Sequence, residues 1–212
     1  MRFKKVAFYT LGCKVNQYET ESLKKQFVDN RFETAEFEEY ADIYVVNSCT
    51  VTSIADKKTR NMLRRAKKLN EDSVVIATGC YAQTNGEELS KIEEIDYVVG
   101  NTDKNAIFNL ITKIEREETL PKLIVKNIFD EKIYEEIEFS TLREMSRAYI
   151  KIQDGCNNFC SYCKIPFARG GNRSRKLNSI LEEVETLAKD GFKEIILIGI
   201  NLGAYGEDLE EE

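Results

Sequence analysis

The chain has 212 residues, a formal net charge of −6 and no histidine. Its composition, 42% hydrophobic and 32% charged with two prolines, is that of one large or two small globular domains, and no apolar run reaches the roughly 20 residues of a membrane-spanning helix. Without histidine, Ser-His-Asp and Cys-His catalysis, His-rich zinc sites and the two-histidine iron triad are excluded, and sulfur is the remaining soft ligand.

The opening MRFKKVAFYTLGC loosely imitates a lipoprotein signal, but its apolar part is short and broken by Tyr9 and Thr10. Residues 6–11, VAFYTL, read instead as a strand buried on both faces. A helix follows over 16–29 with Leu23, Phe27 and Val28 on one face. DIYVVNS (42–48) is a second strand, and residues 54–69 form a helix with Met62, Leu63, Ala66 and Leu69 inward. SVVIATG (73–79) is a third strand, followed by a short helix at 86–92 and a fourth strand, YVVG, at 97–100. Residues 103–117 form a helix that aligns Ile107, Leu110, Ile111 and Ile114.

Strands alternating with helices predict parallel pairing through right-handed crossovers. Residues 1–118 are therefore expected to be an α/β domain with an open doubly wound parallel sheet, Rossmann-like or flavodoxin-like, whose ligands bind at the strands' carboxyl ends. Residues 119–145, with Pro121 and the acidic stretch FDEKIYEEIEF, read as a linker carrying one or two irregular strands. Residues 146–212 read as a β-loop-α-β unit. It has a strand at 148–155, a helix at 177–190 capped by Asn178 or Ser179 and stopped by Gly191, and a strand at 192–201.

The six cysteines fall on this frame in two sets. Cys13, Cys49 and Cys80 each come just after one of the first three strands. In a parallel sheet those ends point the same way, with neighbours about 5 Å apart, so topology alone gathers the three thiols. Gly12, Ser48 and Gly79 precede them, keeping the turns tight and backbone amides near the sulfurs. The competing reading is three buried cysteines acting as small hydrophobes. The second set, Cys156, Cys160 and Cys163 in CNNFCSYC, offers three thiolates on one loop. A closed zinc site and an ordinary iron–sulfur cluster each take four ligands, so three leave one corner open for a small molecule. A zinc knuckle is the alternative, but no histidine or later cysteine completes it. The expected compartment is cytoplasmic, where cysteines favour metal or redox chemistry over disulfides.

Charge is uneven. Residues 57–68, KKTRNMLRRAKK, carry seven basic side chains and no acid, and residues 164–176 carry five and no acid. Each run reads as a solvated face or as a phosphate-contacting surface.

The run YIKIQDGCNNFCSYCKIPFARGGNRSR (149–175) resembles the cluster loop of the radical S-adenosylmethionine (SAM) methylthiotransferases. Nearly the whole chain resembles the N-terminal cluster domain of that family plus the start of its radical-SAM (β/α) barrel. TLGCKVNQYET is similar to the members that methylthiolate N6-threonylcarbamoyladenosine beside the tRNA anticodon. Members acting on isopentenyladenosine more often carry Gln-Met-Asn after the cysteine, and those acting on a ribosomal-protein aspartate Pro-Lys-Asn. The NLGAYG run (201–206) also suits the family.

The resemblance implies two 4Fe–4S clusters and SAM. Cys156, Cys160 and Cys163 would hold the cluster whose open iron takes SAM. Tyr162 would lie near the adenine, with Gly199 and Asn201 at the strand end where SAM is held. Cys13, Cys49 and Cys80 would hold an auxiliary cluster bearing the sulfur to be inserted. SAM cleavage would yield a deoxyadenosyl radical that takes hydrogen from carbon 2 of the modified adenine, and no side chain serves as acid or base. The implied partners are the anticodon stem-loop of tRNA and an electron donor such as flavodoxin or ferredoxin, with no membrane and no DNA. Arg60, Arg64, Arg65, Arg169, Arg173 and Arg175 are the candidate phosphate contacts. Residues 146–212 fall far short of the roughly 250 of an eight-unit barrel, so the barrel is expected to be truncated and this chain alone to turn over little. Two other readings stay open: a methylthiotransferase for isopentenyladenosine or a ribosomal-protein aspartate, and a non-catalytic iron–sulfur module.

Overall fold

A computed structural model describes residues 3–102, 104, 106–137 and 147–209. The first unit runs β1 (Lys5–Thr10), α1 (Lys14–Asp29), β2 (Glu33–Ala35), β3 (Ile43–Ser48), α2 (Ser53–Leu69), β4 (Val74–Gly79), α3 (Cys80–Thr84), α4 (Gly86–Ser90), β5 (Tyr97–Val99), α5 (Ala106–Glu115) and β6 (Leu123–Ile124). Its six strands form one sheet in the order β2-β1-β3-β4-β5-β6, and every pairing is parallel.

β3 and β4 are buried along their whole length, as continuous apolar runs require when helices cover both faces. Alternate residues sort to opposite faces. Tyr44, Val46, Val75 and Ala77 pack with Leu63 and Ala66 of α2, Tyr81 of α3 and Leu89 of α4. Ile43, Val45, Val74 and Ile76 pack with Leu23 and Phe27 of α1 and Ile107, Leu110 and Ile111 of α5. Each Val, Leu, Ile or Phe among them contributes about 1.5–3 kcal/mol by leaving water.

The expected doubly wound sheet is present, with differences at its edges. β2, a polar three-residue edge strand, carries no apolar signal in the sequence. Leu123–Ile124, placed in the expected linker, pairs with β5, so the first sheet extends beyond residue 118. Residues 103 and 105, at the expected start of the 103–117 helix, 138–145 of the linker and 146 at the start of the next unit lie outside the described residues. Val28, expected inward on α1, is exposed.

The second unit contains β7 (Arg147–Lys151), β8 (Gln153–Asp154), α6 (Ile165–Arg169), β9 (Arg173–Ser174), α7 (Leu177–Lys189) and β10 (Glu194–Ile198). β7 and β10 pair in parallel, and α7 packs over them through Ile180 and Leu187 onto Ala148, Ile150 and Ile152. Neither expected cap serves α7: the helix starts at Leu177 after Lys176, with no side-chain cap. Gly191 ends it, at φ +92°. The antiparallel pair β8–β9 draws together the two ends of the cysteine loop.

α1 belongs to both units. Leu23 and Phe27 face its own sheet, while Val15 and Tyr18 pack against Ile198, Tyr149, Ile196 and Ile200 of the second. Among the described residues no helix is long and apolar enough to cross a membrane.

Candidate metal centre

The chain leaves β1, passes through α1 to β2 on one side, then returns to place β3 on the other side of β1. The winding therefore reverses between β1 and β3, and the crevice of a doubly wound sheet opens at the carboxyl ends beside that reversal. Cys13 follows β1 and Cys49 follows β3, so the two flank the crevice, and Cys80 opens α3 at the end of the adjacent β4. Gly12 permits the close approach: at φ +109°, its position would put a Cβ 2.9 Å from Cys49 Cβ and 3.1 Å from Cys49 Sγ. Burial pushes the Cys49 thiol up; a hydrogen bond at Val51 opposes this, and the Cys80 and Cys13 thiols raise it further.

Amide groups surround this trio. Asn16 Nδ2 donates to the carbonyls of Leu11 at 2.8 Å and Ser48 at 2.9 Å, while its Oδ1 lies 3.7 Å from Cys13 Sγ. Asn101 Nδ2 lies 3.8 Å from Cys80 Sγ and donates to the Ala168 carbonyl at 2.6 Å. One amide thus ties the first trio to α6 of the second unit.

The second trio sits on the loop between β8 and α6. The Cys163 amide donates to the Cys160 carbonyl at 2.9 Å, and the Cys156 amide to the Gly170 carbonyl at 3.0 Å. A Cβ on Gly155 would stand 1.8 Å from the Gly171 carbonyl oxygen, so the loop closes only with glycine there. Phe159 holds a left-handed backbone (φ +43°) and stacks with Phe129. Asn201 Nδ2 lies 3.8 Å from Cys156 Sγ. Gly199 packs under Gln153, whose Oε1 accepts from the Ile200 and Asn201 amides at 2.8 and 2.7 Å. Tyr162 is 89% exposed.

A buried ionic cluster stands between the trios. Arg169 Nη1 donates to Glu19 Oε1 at 2.8 Å and to both Asp154 oxygens at 3.1 Å. Its Nη2 donates to Asn16 Oδ1 at 2.6 Å and Glu19 Oε2 at 3.2 Å. Lys151 Nζ reaches Glu19 at 3.0 Å and Asp154 at 2.6 Å, and Lys104 also pairs with Glu19. Burial opposes charge on Glu19, but Arg169, Lys104 and Lys151 together hold its carboxyl well below the usual range. The same contest, won by Arg169 and Lys151, depresses Asp154.

Three of the arginines expected to meet phosphate are in this interior. Arg169 is 1% exposed, Arg173 lies near Asp154, and Arg175 is paired with Glu183 and Glu136. All three are buried and meet carboxylates, where the sequence led one to expect solvent-facing side chains. Arg60, Arg64 and Arg65 stay on the solvent side of α2, beside Glu88, Glu94 and Glu38. Glu19, Asn16, Asp154, Lys104 and Lys151 were not anticipated. A signal existed for the first two: Asn16, Glu19 and Thr20 extend the Leu23–Phe27 stripe backward at helical spacing.

Residues 5–100 match the profile described as Uncharacterized protein family UPF0004, and residues 150–212 match the Radical SAM superfamily. The chain is 46% identical over 206 residues to a threonylcarbamoyladenosine tRNA methylthiotransferase MtaB of Bacillus subtilis, covering 97% of this chain and 46% of that protein. It is 45% identical over 205 residues to the Aquifex aeolicus protein of the same name, covering 96% and 50%. It is 36% identical over 210 residues to a tRNA-2-methylthio-N(6)-dimethylallyladenosine synthase of Fusobacterium nucleatum, covering 98% and 48%. The chain belongs to the radical-SAM methylthiotransferase family. It spans about half the length of the curated relatives it matches.

A radical-SAM methylthiotransferase implies SAM and a 4Fe–4S cluster, and the residues fit such a group. Among the described residues no three Cys, Asp or Glu side chains are set to grip a single metal ion. The support for a bound anionic group is charge. Four buried cations, Lys104, Lys151, Arg169 and Arg173, meet two carboxylates, Glu19 and Asp154. Among the described residues nothing partners the buried Arg169 Nε–H. An anionic thiolate-bound group beside this surplus offsets charge that burial otherwise makes costly.

Proposed function

We propose that this protein acts in tRNA modification, methylthiolating carbon 2 of N6-threonylcarbamoyladenosine next to the anticodon, with two 4Fe–4S clusters and SAM. Cys156, Cys160 and Cys163 hold one cluster, and Cys13, Cys49 and Cys80 the other. The observation that carries this reading is that Ala168–Gly170 touches both trios' surroundings, through Asn101 to Cys80 and through the Gly170 carbonyl to the Cys156 amide. This reading requires both trios to open on one chamber. When bound, the SAM-facing cluster supplies the electron that cleaves SAM; the chain's own residues position and shield that chemistry. Asn201 and Gly199 line the SAM side, with Tyr162 on the same loop as the cysteines. Arg60, Arg64 and Arg65 on α2 offer basic surface to the anticodon stem-loop, and a flavodoxin or ferredoxin donates the electron.

Anaerobic reconstitution with iron and sulfide quantified tests the cluster assignment. Replacing Cys13, Cys49 and Cys80 by alanine should remove about half the iron, and replacing Cys156, Cys160 and Cys163 the other half. Unchanged iron in the first variant ends the two-cluster reading. The Fusobacterium relative keeps dimethylallyladenosine as a second candidate base. Mass spectrometry of tRNA nucleosides from a deletion strain separates the two, since only the affected methylthio nucleoside disappears.

A further inference from the structure

We propose that Arg169 is a positioning residue that sets the two cysteine trios relative to each other and places a positive charge beside Cys13, Cys49 and Cys80. The inference rests on the reading that both trios hold clusters. Arg169 lies in Ala168–Arg169–Gly170, and each residue of that segment has a separate tie. The Ala168 carbonyl accepts from Asn101, whose same Nδ2 lies 3.8 Å from Cys80 Sγ. The Gly170 carbonyl accepts from the Cys156 amide at 3.0 Å. Between them, the Arg169 fork grips Asn16 and Glu19 of α1 on one side and Asp154, two residues before Cys156, on the other. Asn16 Oδ1, which takes the 2.6 Å bond from Nη2, is itself 3.7 Å from Cys13 Sγ. One side chain thus joins supports of both cysteine sets across the junction of the two units.

The geometry requires arginine. A planar fork with five donors can serve Asn16, Glu19 and Asp154 together, whereas an ammonium is a point charge. The charge has its own consequence. Reducing a cluster adds an electron, and a buried cation nearby stabilises the reduced state, because local charge and hydrogen bonding to the sulfurs set cluster potentials.

The test uses the full chain after anaerobic reconstitution. In a Cys156→Ala/Cys160→Ala/Cys163→Ala background only the first-trio cluster remains, and its midpoint potential is read by EPR-monitored titration. Arg169→Met should move it to a more negative value, and Arg169→Lys should leave it near the parent's. With all six cysteines present, the magnetic interaction between the two reduced clusters should change in both variants, since neither side chain reproduces the fork. Glu19 and Asp154 keep Lys104 and Lys151 as partners in these variants, so folding is expected. Should Arg169→Met not fold, Arg169→Lys decides alone through the magnetic interaction. Parent-like potential and interaction in a fully iron-loaded Arg169→Met overturn the proposal. If the background variant takes up no iron, the two-cluster reading itself fails and the proposal falls with it, a result distinct from an Arg169 variant that is loaded but unshifted.

Discussion

Glu19 is the residue on which the interior depends most. It is 2% exposed and pairs with Arg169, Lys151 and Lys104. Breaking a buried ion pair from one side leaves uncompensated charge and costs about 3–5 kcal/mol, so Glu19→Gln should lower unfolding stability by that order in urea titrations. The pH dependence has a definite sign. The three cations hold the folded carboxyl well below the ordinary glutamate range, so its contribution is present above the unfolded pKa and is lost as pH falls toward the folded one. Stability should therefore decline more steeply with acid in the parent than in Glu19→Gln below about pH 4.5. Equal slopes in urea midpoints measured from pH 6 to pH 3 would remove the ionic reading of Glu19.

At the scale of elements, α2 illustrates how local chemistry sets a boundary. Thr52 Oγ1 accepts from the Ala55 amide at 3.2 Å, Asp56 sits in the first turn, and Lys67 and Lys68 in the last, as the helix dipole favours. Thr52→Ala should cost about 1 kcal/mol, and Thr52→Ser almost nothing; thermal denaturation of the pair reads the difference. A silent Thr52→Ala would show that packing of Leu63 and Ala66 alone starts the helix. β3, β4, α2 and the core of α5 were legible because their apolar spacing matches their burial. β2 and β9 were not, and β6 was expected only as an irregular strand in the linker. Each is two or three residues long, and such strands exist only because a neighbour's edge satisfies their backbone, which no local pattern encodes.

For the whole molecule, the shared α1, the Glu19–Arg169–Asp154 cluster and the Tyr18–Glu183 contact tie the two units into one body. Calorimetry should show a single cooperative transition, with amides of α1 and β7 exchanging together. Two resolved transitions would mean that the junction carries little free energy. The alternation of strand and helix, and the placement of one cysteine after each of three parallel strands, were determined by the sequence itself, because backbone pairing and side-chain period follow from local apolar pattern. So was the three-thiolate loop, whose ligands are close in the chain. The fates of Arg169, Arg173 and Arg175 were decided only in the folded molecule. Their sequence neighbourhood is basic and open, yet α1 and β8 supply the carboxylates for Arg169 and Arg173, and Glu183 of α7 with Glu136 those for Arg175. Whether a charge meets water or a buried counter-ion depends on what the rest of the chain brings to it, and that is a property of tertiary contact.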